Sequence, residues 1–140
     1  MNSVKITLTA ICCSFIAFSS CKKSPASPSV HDLATGKWDI DHIAIDNNKN
    51  GVIDPNEIIT GPIYTAAVYT LNADGTGNLT RHDSLEATLT WAVTSDQKYL
   101  EFIPQGGSPE YQHIDELSAT TMTLKDTAGT SVSWTVYKKQ

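Results

Sequence analysis

The chain is poor in cysteine: it has three in 140 residues, at positions 12, 13 and 21. Everything after Cys21 therefore lacks an internal disulfide and any thiol chemistry. It is also short of basic residues, with ten Lys and Arg against fifteen Asp and Glu and a net charge of −5. The charges are scattered without a basic stripe, which removes the electrostatic footing for nucleic-acid binding. No apolar run reaches the ~20 residues that a bilayer span needs; the longest stretch is Ile6 to Phe18. No Ser-His-Asp arrangement, nucleophile elbow or phosphate-binding loop is present, so no enzyme is expected. What remains is a small acidic domain that must be held together by its core.

The N-terminus is better defined. Lys5 precedes the apolar stretch, Ser19-Ser20 follows it, and Cys21 opens the polar run Lys22-Lys23-Ser24-Pro25-Ala26-Ser27-Pro28-Ser29. A basic start, a short apolar segment and small residues before the cut mark a secretory signal peptide. With a cysteine just after the cut, the segment resembles a bacterial lipoprotein signal, whose cysteine is lipidated and becomes the first mature residue. The expectation is a signal over 1–20, a lipid-anchored flexible tether over 21–35 and one folded domain over 36–140. Loss of Lys5 with the leader takes the net charge to near −6. Cys21 would hold the protein to a membrane of the cell envelope, on the periplasmic side or at the outer-membrane surface.

From Gly36 onward the hydrophobic period is two. Leu85, Ala87, Leu89, Trp91 and Val93 alternate with polar or small residues, as do Val132, Trp134 and Val136, and Met122 with Leu124. Strands with one wet face belong to antiparallel sheets. Turn signals recur at Asn72-Ala73-Asp74-Gly75, Ser95-Asp96-Gln97, Pro104 to Pro109 and Asp126 to Gly129. They divide the region into eight predicted strands near 36–45, 63–71, 76–82, 85–94, 98–103, 110–117, 120–125 and 131–138. Short connections make neighbours pair in order. Eight such strands lose their exposed edges by curling into an all-β, antiparallel up-and-down barrel, closed or half-open. A two-sheet sandwich is the other arrangement the pattern allows. Trp38, Trp91 and Trp134 are expected in the core, and Tyr111 at the rim beside Gly106-Gly107.

A resemblance supports the barrel. Gly36-Lys37-Trp38 opens the first strand as a Gly-x-Trp motif does in lipocalin-like proteins. Thr70 to Gly77, Trp91, Leu100, Leu117 to Leu124 and Trp134-Thr135-Val136-Tyr137 continue the likeness in order. Over residues 36–138 the chain is similar to the small lipocalin-like lipoproteins of Gram-negative bacteria. The resemblance implies a barrel with a binding or accessory role at the envelope, for a small apolar ligand or a protein partner. It names no ligand, because fold does not fix function. The alternative is a filled barrel that acts as a protein-interaction or inhibitor domain. The two differ in whether the interior is open. A monomer is expected.

One loop carries chemistry. Asp46-Asn47-Asn48-Lys49-Asn50-Gly51-Val52-Ile53-Asp54-Pro55-Asn56-Glu57 matches the twelve-residue calcium loop of an EF-hand. Calcium is a hard cation that takes six to eight oxygens. Asp46, Asn48 and Asn50 stand at positions 1, 3 and 5, and Gly51 at 6 permits the turn. Val52 at 7 offers its carbonyl, Asp54 stands at 9, and Glu57 at 12 can close the shell with two oxygens. No helix flanks the loop: Trp38 to Ile45 reads as strand, and Gly61-Pro62 stops any helix after Glu57 within about one turn. The expectation is a single structural Ca2+ site of the weak extracellular class, grafted between the first two strands. His42, His82 and His113 fall on three separate predicted strands without ligand spacing and read as rim histidines. Asp115 and Glu116, adjacent on a strand, should point to opposite faces.

Overall fold

Strand β1, Gly36–Ile45, is the seam on which the fold closes. The computed structural model describes residues 27–127, 129 and 131–140, without the side chains of Ile63 and Tyr64. The signal peptide and Cys21 lie outside the described residues. After β1 come β2 (Ile58–Ile59), β3 (Ala67–Leu71), β4 (Thr76–Arg81), β5 (Ser84–Val93), β6 (Tyr99–Pro104), β7 (Glu110–Leu117), β8 (Thr121–Asp126) and β9 (Ser133–Lys139). Each strand from β3 to β9 pairs antiparallel with the next, β3 pairs with the first half of β1, and β9 returns to pair along β1 from Trp38 to Ile45. The result is a closed eight-stranded barrel. β2 is an extra strand on the edge of β1 where β3 has not yet begun, with Ile43 opposite Ile59 and Ala44 opposite Ile58.

Two expectations change at the chain's turns. The pattern predicts the second barrel strand from residue 63, but it starts at Ala67. Pro62, with φ preset for a first helical turn, opens the short helix Pro62–Thr65, and Thr65 Oγ1 donates to Gly61 O at 3.0 Å. The composition predicts a flexible tether to residue 35. Instead Val30–Ala34 forms helix α1. Ser29 Oγ accepts from Asp32 N, and Asp32 Oδ2 accepts from Ser29 N at 3.0 Å. This reciprocal cap is a Ser-x-x-acid box at a helix start; the hydrogen bonds from Ser29 also hold the Asp32 carboxyl below its ordinary pKa.

α1 plugs one end of the barrel. Trp38 Nε1 donates to Ala34 O at 2.7 Å, His31 stacks on Trp91 with ring centroids 4.6 Å apart, and Lys139 Nζ caps Leu33 O at 3.2 Å. Beneath it sits the core: Trp38, Leu71, Leu89, Trp91, Leu100, Phe102, Met122, Leu124 and Tyr137. Gly77 lies in this wall because nothing larger fits. A Cβ there would stand 2.8 Å from both Thr70 O and Leu89 Cδ1.

Trp134 is buried, as expected, but it is not in that core. It lies three residues from Tyr137 on an unbroken strand, and residues an odd number apart face opposite ways. Tyr137 points in, so Trp134 points out, together with Val136, Ala44 and Thr123 across the ladder. All four are nonetheless buried. The apolar alternation of Val132, Trp134 and Val136 therefore marks the outer wall of the barrel, while Ser133 and Thr135 line the inner one. Lys125 lies over the Trp134 ring, its Nζ 5.2 Å from the centroid, and the segment between β1 and β2 passes beside this wall. A cleft of about 370 Å³ separates Gly51, Val52 and Ile53 from Asp115, Glu116, Thr123 and Trp134. Asp115 and Glu116 both line it, against the expectation of opposite faces. Asp115 faces out with His113, and a β-bulge between Ile114 and Glu116 adds one residue and turns Glu116 outward as well, opposite Thr123.

Candidate cation loop and barrel mouth

Asp46 and Glu57 are the buried charged side chains among the described residues, at 4% and 3% exposure. They are the two ends of the twelve-residue loop. Asp46 follows the last residue of β1, where its N–H donates to Val132 O at 2.9 Å. Lys49 and Gly51 adopt left-handed φ of 61° and 74°. Glycine does so without steric cost, and the resulting coil aims backbone N–H groups inward. Asp46 Oδ1 accepts from Asn50 N at 3.0 Å and Oδ2 from Gly51 N at 2.9 Å. Pro55 opens a single 3₁₀ turn, Pro55–Glu57, which swings Glu57 back toward the start of the loop. Glu57 Oε1 accepts from Asn47 N at 2.8 Å and Asn48 N at 3.2 Å, and Oε2 from Asp54 N at 3.4 Å.

The remaining expected ligands join the same ring. Asn48 Oδ1 accepts from Asn50 N at 2.9 Å, and Asn50 Oδ1 from Val52 N at 2.8 Å. The Nδ2 atoms of both asparagines donate to Asp54 Oδ2, at 2.7 and 2.8 Å. Val52 turns its side chain to solvent, 58% exposed, so it could contribute only through its backbone. Fold and loop thus bring Asp46, Asn48, Asn50, Asp54 and Glu57 together. No group of three or more His, Cys, Asp or Glu side chains converges as a metal holder among the described residues. The ring is instead drawn around the Asp54 carboxylate by two amide nitrogens. Every potential donor is a hard oxygen, the type that suits calcium. Asn48 and Asn50 keep a free lone pair on oxygens already turned into the loop.

The second feature is the end of the barrel opposite α1. There the inward-facing Ile43, Leu79, Arg81, Gln112 and Thr135 are only half-buried. Tyr69 stands between this region and the core, edge-on to Tyr137 at 5.7 Å. Burial, reinforced by the nearby negative charge of Glu110 and Glu86, raises the Tyr69 pKa, so its hydroxyl stays a donor at neutral pH. Arg81 Nε is buried without a hydrogen bond; Glu86 Oε1, 3.5 Å away, is an ion-pair partner outside hydrogen-bond geometry. These mouth residues carry no motif that singles them out in the sequence. The alternation Tyr69-Leu71 and Leu79-Arg81 is the signal, because each pair shares a face with core residues.

The histidines do not converge. His42 Nδ1 lies 2.9 Å from Asp41, and His113 Nδ1 lies 3.0 Å from Asp115. His82 is in the β4–β5 turn at φ 48°, not on a strand. Among the described residues no helix is long and apolar enough to cross a membrane.

An eight-stranded antiparallel barrel with a plugged end is the architecture of lipocalin-like proteins, a fold that typically binds rather than catalyses. The lipocalin-like domain family matches residues 35–124, and the chain belongs to that family. Its fold is similar to the crystal structure of a lipocalin-like protein from Bacteroides uniformis, at 10% identity and a TM-score of 0.53. The alignment covers 77% of this chain and 99% of that one. No curated protein matches the chain.

Proposed function

We propose that the protein is a lipid-anchored binding protein of the cell envelope. It would be held at Cys21 and take a small, largely apolar molecule at the open end of the barrel. The observation that carries the binding reading is the half-buried inner wall at the mouth, where Ile43, Leu79 and Arg81 face inward. Arg81 Nε is ion-paired to Glu86 at 3.5 Å but makes no hydrogen bond, and a ligand with an acceptor on an apolar body would supply one. The half-buried Ile43 and Leu79 would take its apolar part, and the Tyr69 hydroxyl offers a second donor. A filled barrel that binds only proteins finds less support, because the inner wall toward the mouth is not fully covered. The test is titration of the mature chain with the fluorescent probe 1-anilinonaphthalene-8-sulfonate, which pairs an apolar body with an acceptor. Saturable binding that Leu79→Trp blocks and Arg81→Met weakens supports the reading; binding indifferent to both overturns it.

The loop from Asp46 to Glu57 fits a structural calcium site in the same proposal. Two buried carboxylates without a Lys, Arg or His partner among the described residues are expensive anions. A divalent cation would supply the missing charge. With Asp46, Asn48, Asn50, Val52, Asp54 and Glu57 as ligands and three carboxylates among them, affinity belongs to the weak extracellular class, about 10⁻⁴ to 10⁻³ M. Millimolar calcium would occupy such a site outside the cytoplasm. Calorimetric titration of the mature chain with calcium tests it directly, and absence of any binding at millimolar calcium rules it out.

A further inference from the structure

We infer that the mouth of the barrel selects an amphipathic amine, an apolar body with a hydrogen-bond acceptor on one side and an ammonium on the other. This rests on the binding reading of the mouth and adds the chemical class of its ligand.

The two sides of the mouth differ in sign. On β4, Arg81 pairs across the ladders with Ala67 and Ser84. It shares the inner face with Leu79, because residues two apart on a strand point the same way. Glu86 Oε1, 3.5 Å from Arg81 Nε, offsets its charge. This side therefore offers donors with little net charge. Around the closed ring, β8 stands across from β4, and β7 is its neighbour. There Glu110 pairs with Phe102 and Gln112 with Leu100, and Asp126 follows Leu124 by two. Phe102, Leu100 and Leu124 are core side chains, so Glu110, Gln112 and Asp126 lie on the inner face with them. Among the described residues no Lys or Arg is ion-paired to Glu110. A cleft of about 550 Å³ opens at this lip, lined by Pro109, Glu110, Tyr111, Gln112 and Asp126. Small-molecule sites run from about 300 to 1,000 Å³, so the space suits part of a ligand body and its charged end.

Tyr69 joins the two sides. It pairs with Leu79, two residues before Arg81. Its ring centroid lies 6.1 Å from that of Phe102, the strand partner of Glu110. Burial raises its pKa most, Glu110 raises it further and Arg81 lowers it, so charges from both walls reach one hydroxyl. Arg81 only donates hydrogen bonds, whereas ionised Glu110 and Asp126 only accept them. A molecule lying across the mouth meets donors at one wall and carboxylates at the other. With Arg81 offset by Glu86, the surplus charge is negative. It attracts an ammonium and repels a carboxylate on the same apolar body.

The experiment titrates the mature chain with three fluorescent probes that share a dansyl sulfonamide and a short alkyl chain. Dansyl-cadaverine ends in an ammonium, dansyl-6-aminohexanoate in a carboxylate, and dansyl-pentylamide in a methyl group. The sulfonamide oxygens supply the acceptor in all three. The ammonium probe should bind at least about fivefold tighter than the carboxylate probe, and about 1 M salt should shrink the difference. Glu110→Gln with Asp126→Asn should abolish the preference. Equal affinities or a carboxylate preference, with Leu79→Trp still blocking the probes, overturn the amine inference and leave the mouth reading in place. An ammonium preference that survives Glu110→Gln with Asp126→Asn overturns it too. Probes that do not bind, or that ignore Leu79→Trp, remove the mouth reading and this inference with it.

Discussion

Trp134 Nε1 donates to Asp115 Oδ2 at 2.7 Å on the outside of the barrel. Two features meet in that bond: the parity of β7 turns Asp115 outward with His113, and the parity of β9 turns Trp134 outward. Asp115 also lies 3.0 Å from His113 Nδ1, so one carboxylate joins β7 to β9 across β8. Asp115→Ala should leave the indole N–H buried and unpaired, costing about 1–3 kcal/mol. Asp115→Asn keeps an acceptor and should cost less. Urea midpoints of the two variants, compared with the native chain, check the order; equal midpoints would mean that the bond contributes nothing.

Removing the indole itself should cost more. Trp134→Ala leaves a cavity in the outer wall and should lower stability by about 3–5 kcal/mol. Because Trp134 is not among the interior side chains, the near-ultraviolet signals of Trp38 and Trp91 should survive in whatever fraction stays folded. Loss of those signals in the folded fraction would place Trp134 in the main core after all.

Calcium should stabilise the folded chain by mass action. At one hundred times the dissociation constant the gain is ~2.7 kcal/mol, or several degrees in Tm for a domain of this size. Glu57→Gln keeps an oxygen for Asn47 N and Asn48 N but removes the charge and the bidentate closure, and should erase most of the rise. Magnesium should do less, since it dehydrates reluctantly and wants octahedral geometry. Thermal melts with calcium, magnesium and EGTA measure this, and a melting point that ignores calcium refutes the site.

The β1–β9 seam should weaken in acid. Hydrogen bonds from Lys138 and then His42 hold the Asp41 carboxyl below its ordinary value of 3.8. A carboxyl with a lowered folded pKa adds stability above its ordinary value, and that stability is lost as pH falls through the lowered one. Lys138 Nζ, 2.7 Å from Asp41 Oδ1, is itself largely exposed, so the contribution is at most about 1 kcal/mol. Asp41→Asn should flatten the fall in stability between neutral pH and about pH 3. An identical fall in the variant would assign the acid sensitivity elsewhere.

Gly77→Ala should be more damaging than its size suggests. The added Cβ meets backbone, Thr70 O at 2.8 Å, as well as Leu89 Cδ1, and overpacking of this kind costs about 1–3 kcal/mol. Gly61→Ala, where nothing stands within 4 Å, is the control and should be nearly silent. Denaturant midpoints for the pair decide it.

Much of this protein is written in its sequence. Period-two alternation and Gly or Asp turn signals locate β4 to β8 to within a residue or two, because local pattern and burial agree there. The spacing from Asp46 to Glu57 names residues that hydrogen-bond to one another within the loop, since side-chain oxygens beside backbone N–H groups and a left-handed glycine are local requirements. Neither α1 nor the late start of β3 is legible, because each depends on a few capping atoms at Ser29 and on the turn at Pro62. The sequence also does not tell which face of β9 points in. Both faces of that strand carry buried residues, Tyr137 on one and Trp134 and Val136 on the other, so alternation marks two sets of residues without saying which is inside. That choice is made by the register with β1 and β8, and by the bulges at Ile40 to His42 and Ile114 to Glu116. Ring closure puts Tyr137 inside and Trp134 outside.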